Sequence, residues 1–261
     1  MFGGSYKKSV RFCYITNTGK LRYRNEDALL AGGKLFAKTS MSVPQCEEAL
    51  LFDGLLFAVA DGMGGHACGD EASRLVLEFL KDKHPKDVES MHEIIKNSKR
   101  YLDEFVINGH EFCYGMGTAL AGVYFYPEGK AIVFNVGDCR VYRFRKGRLE
   151  LLTKDHTFLF RLYEEGRISY EELRVHPERN FLESAIMGGY PDIPEVFVRE
   201  TDYESGDRFL VCSDGLWEEL SFSEKLQCLK KEPLEESANC LFSLVCHEAR
   251  DNISFILCEI P

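Results

Sequence analysis

The sequence has no apolar run approaching the roughly 18–20 residues that a membrane-spanning helix needs. It also lacks basic excess: 32 Lys and Arg stand against 42 Asp and Glu, a net charge of −10. A chain this acidic is a poor candidate for non-specific binding of nucleic acid or of an anionic membrane, both of which need a basic face. Proline is scarce, 8 in 261 residues, and no internal repeat or Pro-, Gly- or Ser-rich linker divides the chain. The first ten residues hold no apolar h-region, so no secretory signal and a cytosolic location are expected. What is present is ordinary for a globular protein: 45% hydrophobic and 28% charged residues. That excludes wholesale disorder and supports a sizeable core in one domain spanning residues 1–261.

Cysteine is plentiful, ten residues, but no Cys-x-x-Cys pair occurs. Several lie in apolar runs, such as Cys212 after Phe-Leu-Val and Cys258 after Phe-Ile-Leu. In a reducing cytosol these are expected to be structural thiols and not zinc ligands.

Strands are predicted over residues 11–17, 55–60, 207–213 and 253–260. A meander is predicted over 117–152, with turns at 127–129 and 146–147. Residues 31–50 read as a hairpin or mobile insertion. Ala72, Leu75, Val76, Phe79 and Leu80 recur at helical spacing, with Asp70 as the expected cap. A second amphipathic helix runs from about Met91 to Val106 and stops at Asn108-Gly109. Residues 155–185 read as mostly helical, and two more helices are expected over 223–231 and 234–248. Strand runs interleaved with paired helices imply an α+β fold of antiparallel sheets with helices packed outside.

Chemistry concentrates where apolar strands end. Asp61 closes Phe57-Ala-Val-Ala, Asp138 follows Val133-Phe-Asn-Val-Gly, and Asp214 follows Phe209-Leu-Val-Cys-Ser. Asp27 ends a polar run, and Asp251 immediately precedes Asn252 and the last strand. Any one Asp-Gly step is an ordinary turn. Five such sites converging would repel one another into protonation unless cations intervened. A set of carboxylates and backbone carbonyls suits Mg²⁺ or Mn²⁺ and not zinc.

Six ordered motifs carry a family resemblance: Arg22-x-x-Asn25-Glu26-Asp27, Asp61-Gly-Met-Gly-Gly-His66, Gly117-Thr-Ala119, Asn135-Val-Gly-Asp-Cys-Arg140, Ser213-Asp-Gly-Leu-Trp217 and Asp251-Asn-Ile-Ser254. Together they resemble the metal-dependent type 2C protein serine/threonine phosphatases, the bacterial branch above all, over residues 11 to 260. The resemblance implies a four-layer α-β-β-α sandwich with the metal site at one end. It implies two Mn²⁺ or Mg²⁺ ions, with Asp61 bridging them, the Gly62 carbonyl on one, and Asp214 and Asp251 on the other. Glu26 and Asp27 would orient metal-bound waters, and Arg22 would grip the phosphate. A hydroxide between the metals would attack phosphorus in line. Asp138 and Asp214 would share a third, looser ion. Phosphorylated proteins are the implied partners, with a bacterial Ser/Thr kinase opposing the chain. A monomer is expected, with no nucleic-acid or membrane partner.

Departures from the pattern are specific. Met63 stands where some members have a histidine acid, which leaves a metal-bound water or His66 to protonate the leaving group. His66 and His156 are otherwise expected to order loops, and Cys139 replaces a usual serine. Residues 158–190 match the family's flap, which typically helps to choose substrates. Three rival readings are weighed. Cys68 and Arg74 satisfy a Cys-x5-Arg spacing, but Asp70 and Glu71 inside it would repel a phosphate, so it is a coincidence. A catalytically weak phosphoprotein-binding regulator would have lost metal carboxylates, and none is lost. A phosphatase of one regulatory protein or of a small phosphorylated molecule keeps the same chemistry with another substrate.

Overall fold

The computed structural model describes residues 8–63 and 68–261. Thirteen strands among them form two antiparallel sheets. One has the order β4 (Gln45–Leu50), β1 (Ser9–Asn17), β13 (Ile253–Glu259), β12 (Arg208–Cys212), β8 (Arg140–Arg145), β9 (Arg148–Leu151). The other has the order β11 (Phe197–Asp202), β7 (Lys130–Val136), β6 (Gly117–Phe125), β5 (Leu55–Met63), β2 (Asp27–Ala31), β3 (Lys34–Ala37), with β10 (Ile186–Met187) paired to β6.

Strand alternation explains the layering. Val10, Phe12 and Tyr14 of β1 point between the sheets, whereas Cys13 and Ile15 point outward under helices. In β5, Phe57 and Val59 point inward and Leu56, Ala58 and Ala60 outward. Strands buried on both faces read as continuous apolar runs, which is why they were legible. Helices α1 (Gly69–Leu80) and α2 (Val88–Ile107) cover the second sheet. Over the first lie α3 (Phe158–Glu164), α4 (Tyr170–Val175), α5 (Asp214–Trp217), α6 (Phe222–Leu229) and α7 (Leu234–Val245). The result is the four-layer α-β-β-α sandwich. Among the described residues no helix is long and apolar enough to cross a membrane.

Some details depart from expectation. Asp70 does not cap α1: the helix begins at Gly69, and its cap position is Cys68, in left-handed backbone with no side-chain hydrogen bond. The 117–152 meander is split, since β6 and β7 belong to one sheet and β8 and β9 to the other. The chain changes sheet at Gly137-Asp138-Cys139, which sets Asp138 at the end of the sandwich. Residues 34–37 close a hairpin on β2, whereas β4 pairs with β1 in the opposite sheet. Residues 155–185 hold only the two short helices α3 and α4, and the edge strand β11 was not foreseen.

The cysteine expectation is corrected for six of the ten. Cys13 and Cys46, Cys68 and Cys113, and Cys228 and Cys240 are disulfide-bonded. Only Cys139, Cys212, Cys246 and Cys258 are thiols. Tertiary structure makes these pairs: Cys13 and Cys46 are cross-strand partners of β1 and β4, and Cys228 and Cys240 face each other between α6 and α7. Separations of 33, 45 and 12 residues gave no local sign of this.

Candidate metal centre

Register places the first two carboxylates side by side. Asp27 at the start of β2 is the cross-strand partner of Asp61 near the end of β5. Thr118 of β6 donates its hydroxyl to the Asp61 carbonyl at 2.8 Å, which fixes the end of β5. The other sheet meets them through Ser213, whose hydroxyl donates to Asp27 Oδ2 at 2.8 Å. Ser213 is in turn tied to Ser254 of β13 by its backbone N–H, 3.0 Å from the Ser254 carbonyl. Asp214 and Asp251 follow from adjacent strand ends of this sheet.

Asparagines of the motifs hold the loops that carry these acids. Asn252 donates to the carbonyls of Thr18 and Arg24 at 2.8 and 3.0 Å and accepts from the Glu26 N–H at 2.8 Å. Asn25 donates to Thr16 Oγ1 at 2.6 Å and to the Thr39 carbonyl at 2.7 Å. Gly62 has no room for a side chain: a Cβ there would lie 2.2 Å from the Gly69 carbonyl and 2.5 Å from that of Glu26. Glycine is thus required for β5 to pass under the start of α1.

Arg22, Glu26, Asp61, Gly62, Asp138, Asp214 and Asp251 all line one cleft of about 260 Å³. Asp27 lies behind that wall, 1% exposed. Sequence reasoning missed two residues here. Asn180 lines the cleft, and Glu218 acts electrostatically on both Asp138 and Asp214. Glu218 follows Asp214 by four residues, one helical turn, which was the available signal. Its Oε1 is 2.8 Å from Arg179 Nε. His66 lies outside the described residues. His156 Nδ1 accepts the Gly137 N–H at 2.9 Å, and the His156 backbone N–H donates to the Gly137 carbonyl at 2.9 Å, bracing the turn before Asp138. The Cys68–Arg74 pair has no phosphate cradle: Cys68 is in a disulfide, and Arg74 pairs with Glu71 and Glu78.

Electrostatics mark the cleft as a cation site. Burial pushes Asp27 up to about 7, against hydrogen bonds from Ser254 and Ser213. Burial, then the neighbouring charges of Asp27, Asp214 and Asp138, raises Asp61 well above the carboxylate range. Burial followed by Asp138 and Asp251 does the same to Asp214. Asp138 is pushed up to about 7 by burial and by Asp155 and Glu218. Among the described residues, Asp214 Oδ1 is buried with no hydrogen-bond partner. A native fold rarely leaves such an atom orphaned, and hard cations are the partners that an all-oxygen cluster fits. Among the described residues Arg22 is the one cation on the cleft wall, with Nη2 2.5 Å from Asp251 Oδ2. Burial opposes its charge, and Asp251, Asp214 and Asp61 together overcome that.

A four-layer α-β-β-α sandwich with carboxylates gathered at one end of its two sheets defines a divalent-cation protein of phosphatase architecture. The chain belongs to the protein phosphatase 2C family, whose sequence model matches residues 49–242. It is 32% identical over 262 residues to the serine/threonine protein phosphatase PstP of Mycobacterium tuberculosis, covering 96% of this chain but 45% of that protein. The chain thus spans about half the length of that curated relative. It is 30% identical to the serine/threonine phosphatase stp of Listeria monocytogenes, over 94% of each. Among solved structures, M. tuberculosis PstP/Ppp superposes with a TM-score of 0.79 at 29% identity, over 97% of this chain and 99% of that one. The catalytic domain of PstP in complex with two manganese ions superposes with a TM-score of 0.75, also at 29% identity and with the same coverage.

Proposed function

We propose that this chain hydrolyses phosphoserine and phosphothreonine esters of proteins with the assistance of two Mn²⁺ or Mg²⁺ ions, and so opposes a serine/threonine kinase. The observation that carries this reading is the cleft in which Asp61, Asp138, Asp214 and Asp251 meet from both sheets, with a buried carboxylate oxygen that has no hydrogen-bond partner among the described residues. Asp61, the Gly62 carbonyl, Asp214 and Asp251 would hold the two ions. Bound there, the ions would supply Lewis acidity, activating water and neutralising charge on the phosphoryl oxygens.

The remaining roles belong to side chains. Arg22 engages Asp251 through Nη2 and keeps other N–H groups of its fork for phosphate oxygens. Its side chain is 54% exposed, so it can reach an entering substrate. Glu26 on the cleft wall and Asp27 behind it would orient water, Asp27 itself being held by Ser213. Met63 lines the cleft and carries no exchangeable proton, so it cannot protonate the leaving oxygen. Asp138 and Asp214 would hold a third, looser ion on that side. All these residues come from one chain, so a monomer suffices.

Turnover of phosphoserine and phosphothreonine peptides is the direct test. Activity is expected with Mn²⁺, to vanish with chelator and to return on adding metal. Arg22→Ala is expected to raise KM about ten-fold with a smaller effect on kcat, since the fork binds ground and transition states alike. Activity that survives chelation overturns the reading.

A further inference from the structure

Beside the carboxylate cleft lies a larger hollow, of about 410 Å³, with a different chemistry. Its lining is mostly apolar: Met63, Leu182, Met187, Tyr190, Ile193 and Pro194. Met63 and Leu182 line both spaces, so the two are contiguous. Some of this apolar surface faces solvent, with Ile193 71% and Tyr190 41% exposed. An exposed apolar surface that adjoins a catalytic cleft marks a contact surface.

The hollow is also built to keep its shape. Lys99, itself buried, donates to the Tyr190 carbonyl at 2.6 Å and to both oxygens of Asp103. Asp103 accepts the Gly189 N–H at 2.8 Å. Gly188 is bonded on both sides, its N–H to the Met116 carbonyl at 2.8 Å and its carbonyl to the Gly115 N–H at 3.0 Å. Ile186 and Met187 pair with Thr118 and Gly117 of β6, the strand next to the one that carries Asp61. The Glu195 N–H donates to Ser184 Oγ at 2.8 Å across the far wall. A surface fixed in this way costs little ordering on binding.

Two acids sit at the rim. Glu183 is engaged by Arg161 at 2.7 Å, whereas Asp192 is exposed and has no ion pair or hydrogen bond among the described residues. The rim therefore disfavours an acidic occupant. A small phosphorylated molecule seated in the cleft would leave the apolar hollow uncovered. A polypeptide would cover it, because its chain continues past the phosphoresidue.

We propose that this hollow is a specificity subsite that receives a large apolar side chain of the phosphoprotein, within about three residues of the phosphoserine or phosphothreonine. The reach follows from contiguity, since an extended chain advances about 3.3 Å per residue and the hollow begins at the cleft wall. The proposal rests on the phosphatase reading and adds the class of substrate: phosphosites flanked by Leu, Ile, Met or Phe and not by acidic residues.

The test is a set of phosphothreonine peptides in an alanine background, with one leucine moved through the three positions on either side, assayed on the Mn²⁺-loaded enzyme. At one position or more, kcat/KM is expected to rise about ten-fold over the all-alanine peptide, the scale for burying one such side chain. In Ile193→Asp the ratio of leucine to alanine peptide is expected to fall to near one. Tyr190→Ser, a second exposed position, is expected to reduce it as well. The ratio is internal to each variant, so a loss of overall activity does not blur it. A flat leucine scan, or a preference that survives both variants, overturns the subsite and leaves the phosphatase reading standing. Failure of the wild type to turn over any phosphopeptide with Mn²⁺ overturns both.

Discussion

Two groups of buried charge lie back to back at the end of the sandwich, and they are finished differently. In the cleft, carboxylates crowd together and Asp214 Oδ1 is left without a hydrogen-bond partner among the described residues. Behind it, Arg140 is wholly buried and donates Nε and Nη2 to Asp155, the shortest contact 2.6 Å, and Nη1 to the hydroxyls of Tyr142 and Tyr170 at 3.1 and 3.2 Å. Its guanidinium also stacks 3.5 Å from the Trp217 ring centre. Asp138 and Arg140 are two residues apart in one motif, yet one faces open demand and the other a closed network. A charge cluster that serves the fold satisfies itself, whereas one that serves a ligand leaves valence for it.

Removing a carboxylate should therefore have opposite consequences in the two groups. Asp214→Asn is expected to cut phosphopeptide turnover by about a thousand-fold or more. Its thermal stability in chelator should stay level or rise, because repulsion is relieved. Asp155→Ala strands Arg140 in the interior and is expected to cost about 3–5 kcal/mol in urea unfolding. Equal destabilisation by the two would erase the contrast.

Asp138 stands between the groups and sharpens the boundary. Asp138→Ala is expected to keep two tightly held ions in calorimetric titration and to lower kcat on phosphopeptides about 10–100-fold. The loss should be smaller on an activated aryl phosphate, whose leaving group needs little protonation. Equal losses on both substrates, or a collapsed pair of ions, would place Asp138 in the core site instead.

The smallest expected effect tests the closed group through pH. Lys225 is wholly buried, donates to the carbonyls of Trp217 and Leu220, and lies near Tyr142, Tyr170 and the like charge of Arg140. Burial lowers its pKa to about 7. Between about pH 7 and 10.5 the unfolded chain then binds the extra proton, so stability rises with pH across that window. Relative to Lys225→Met, the wild type should gain on the order of 2 kcal/mol from pH 7 to 9. A flat difference would show Lys225 charged in the folded state.

Sequence showed Asp61, Asp138 and Asp214 because each follows an apolar run beside glycine or serine, a pattern visible over five or six residues, whereas Asp27 and Asp251 stood out only through their motifs. It also showed the layering, since strands such as β5 are apolar on both faces. Glu218 was hidden in an ordinary acidic pair after Trp217, and only the fold turns it toward Asp138. The edge strand β11, half-buried and alternating weakly, gave little periodicity to read. The cysteine pairs depended on register and helix packing, which no local spacing encodes. Asp70 failed as a cap because the helix starts two residues earlier than its polar pattern suggests.

Trp217 touches both charge groups at once: its ring lies under Arg140, and its indole N–H donates to the Asp138 carbonyl at 2.9 Å. It is the single tryptophan of the sequence. Indole emission responds to the local electric field, and cations neutralising Asp138 and Asp214 would change that field within a few ångströms. The protein thus carries an intrinsic optical reporter at the carboxylate end of its sandwich. Ion arrival can be followed by native fluorescence, in real time and without a label, and the order of site filling can be separated from turnover.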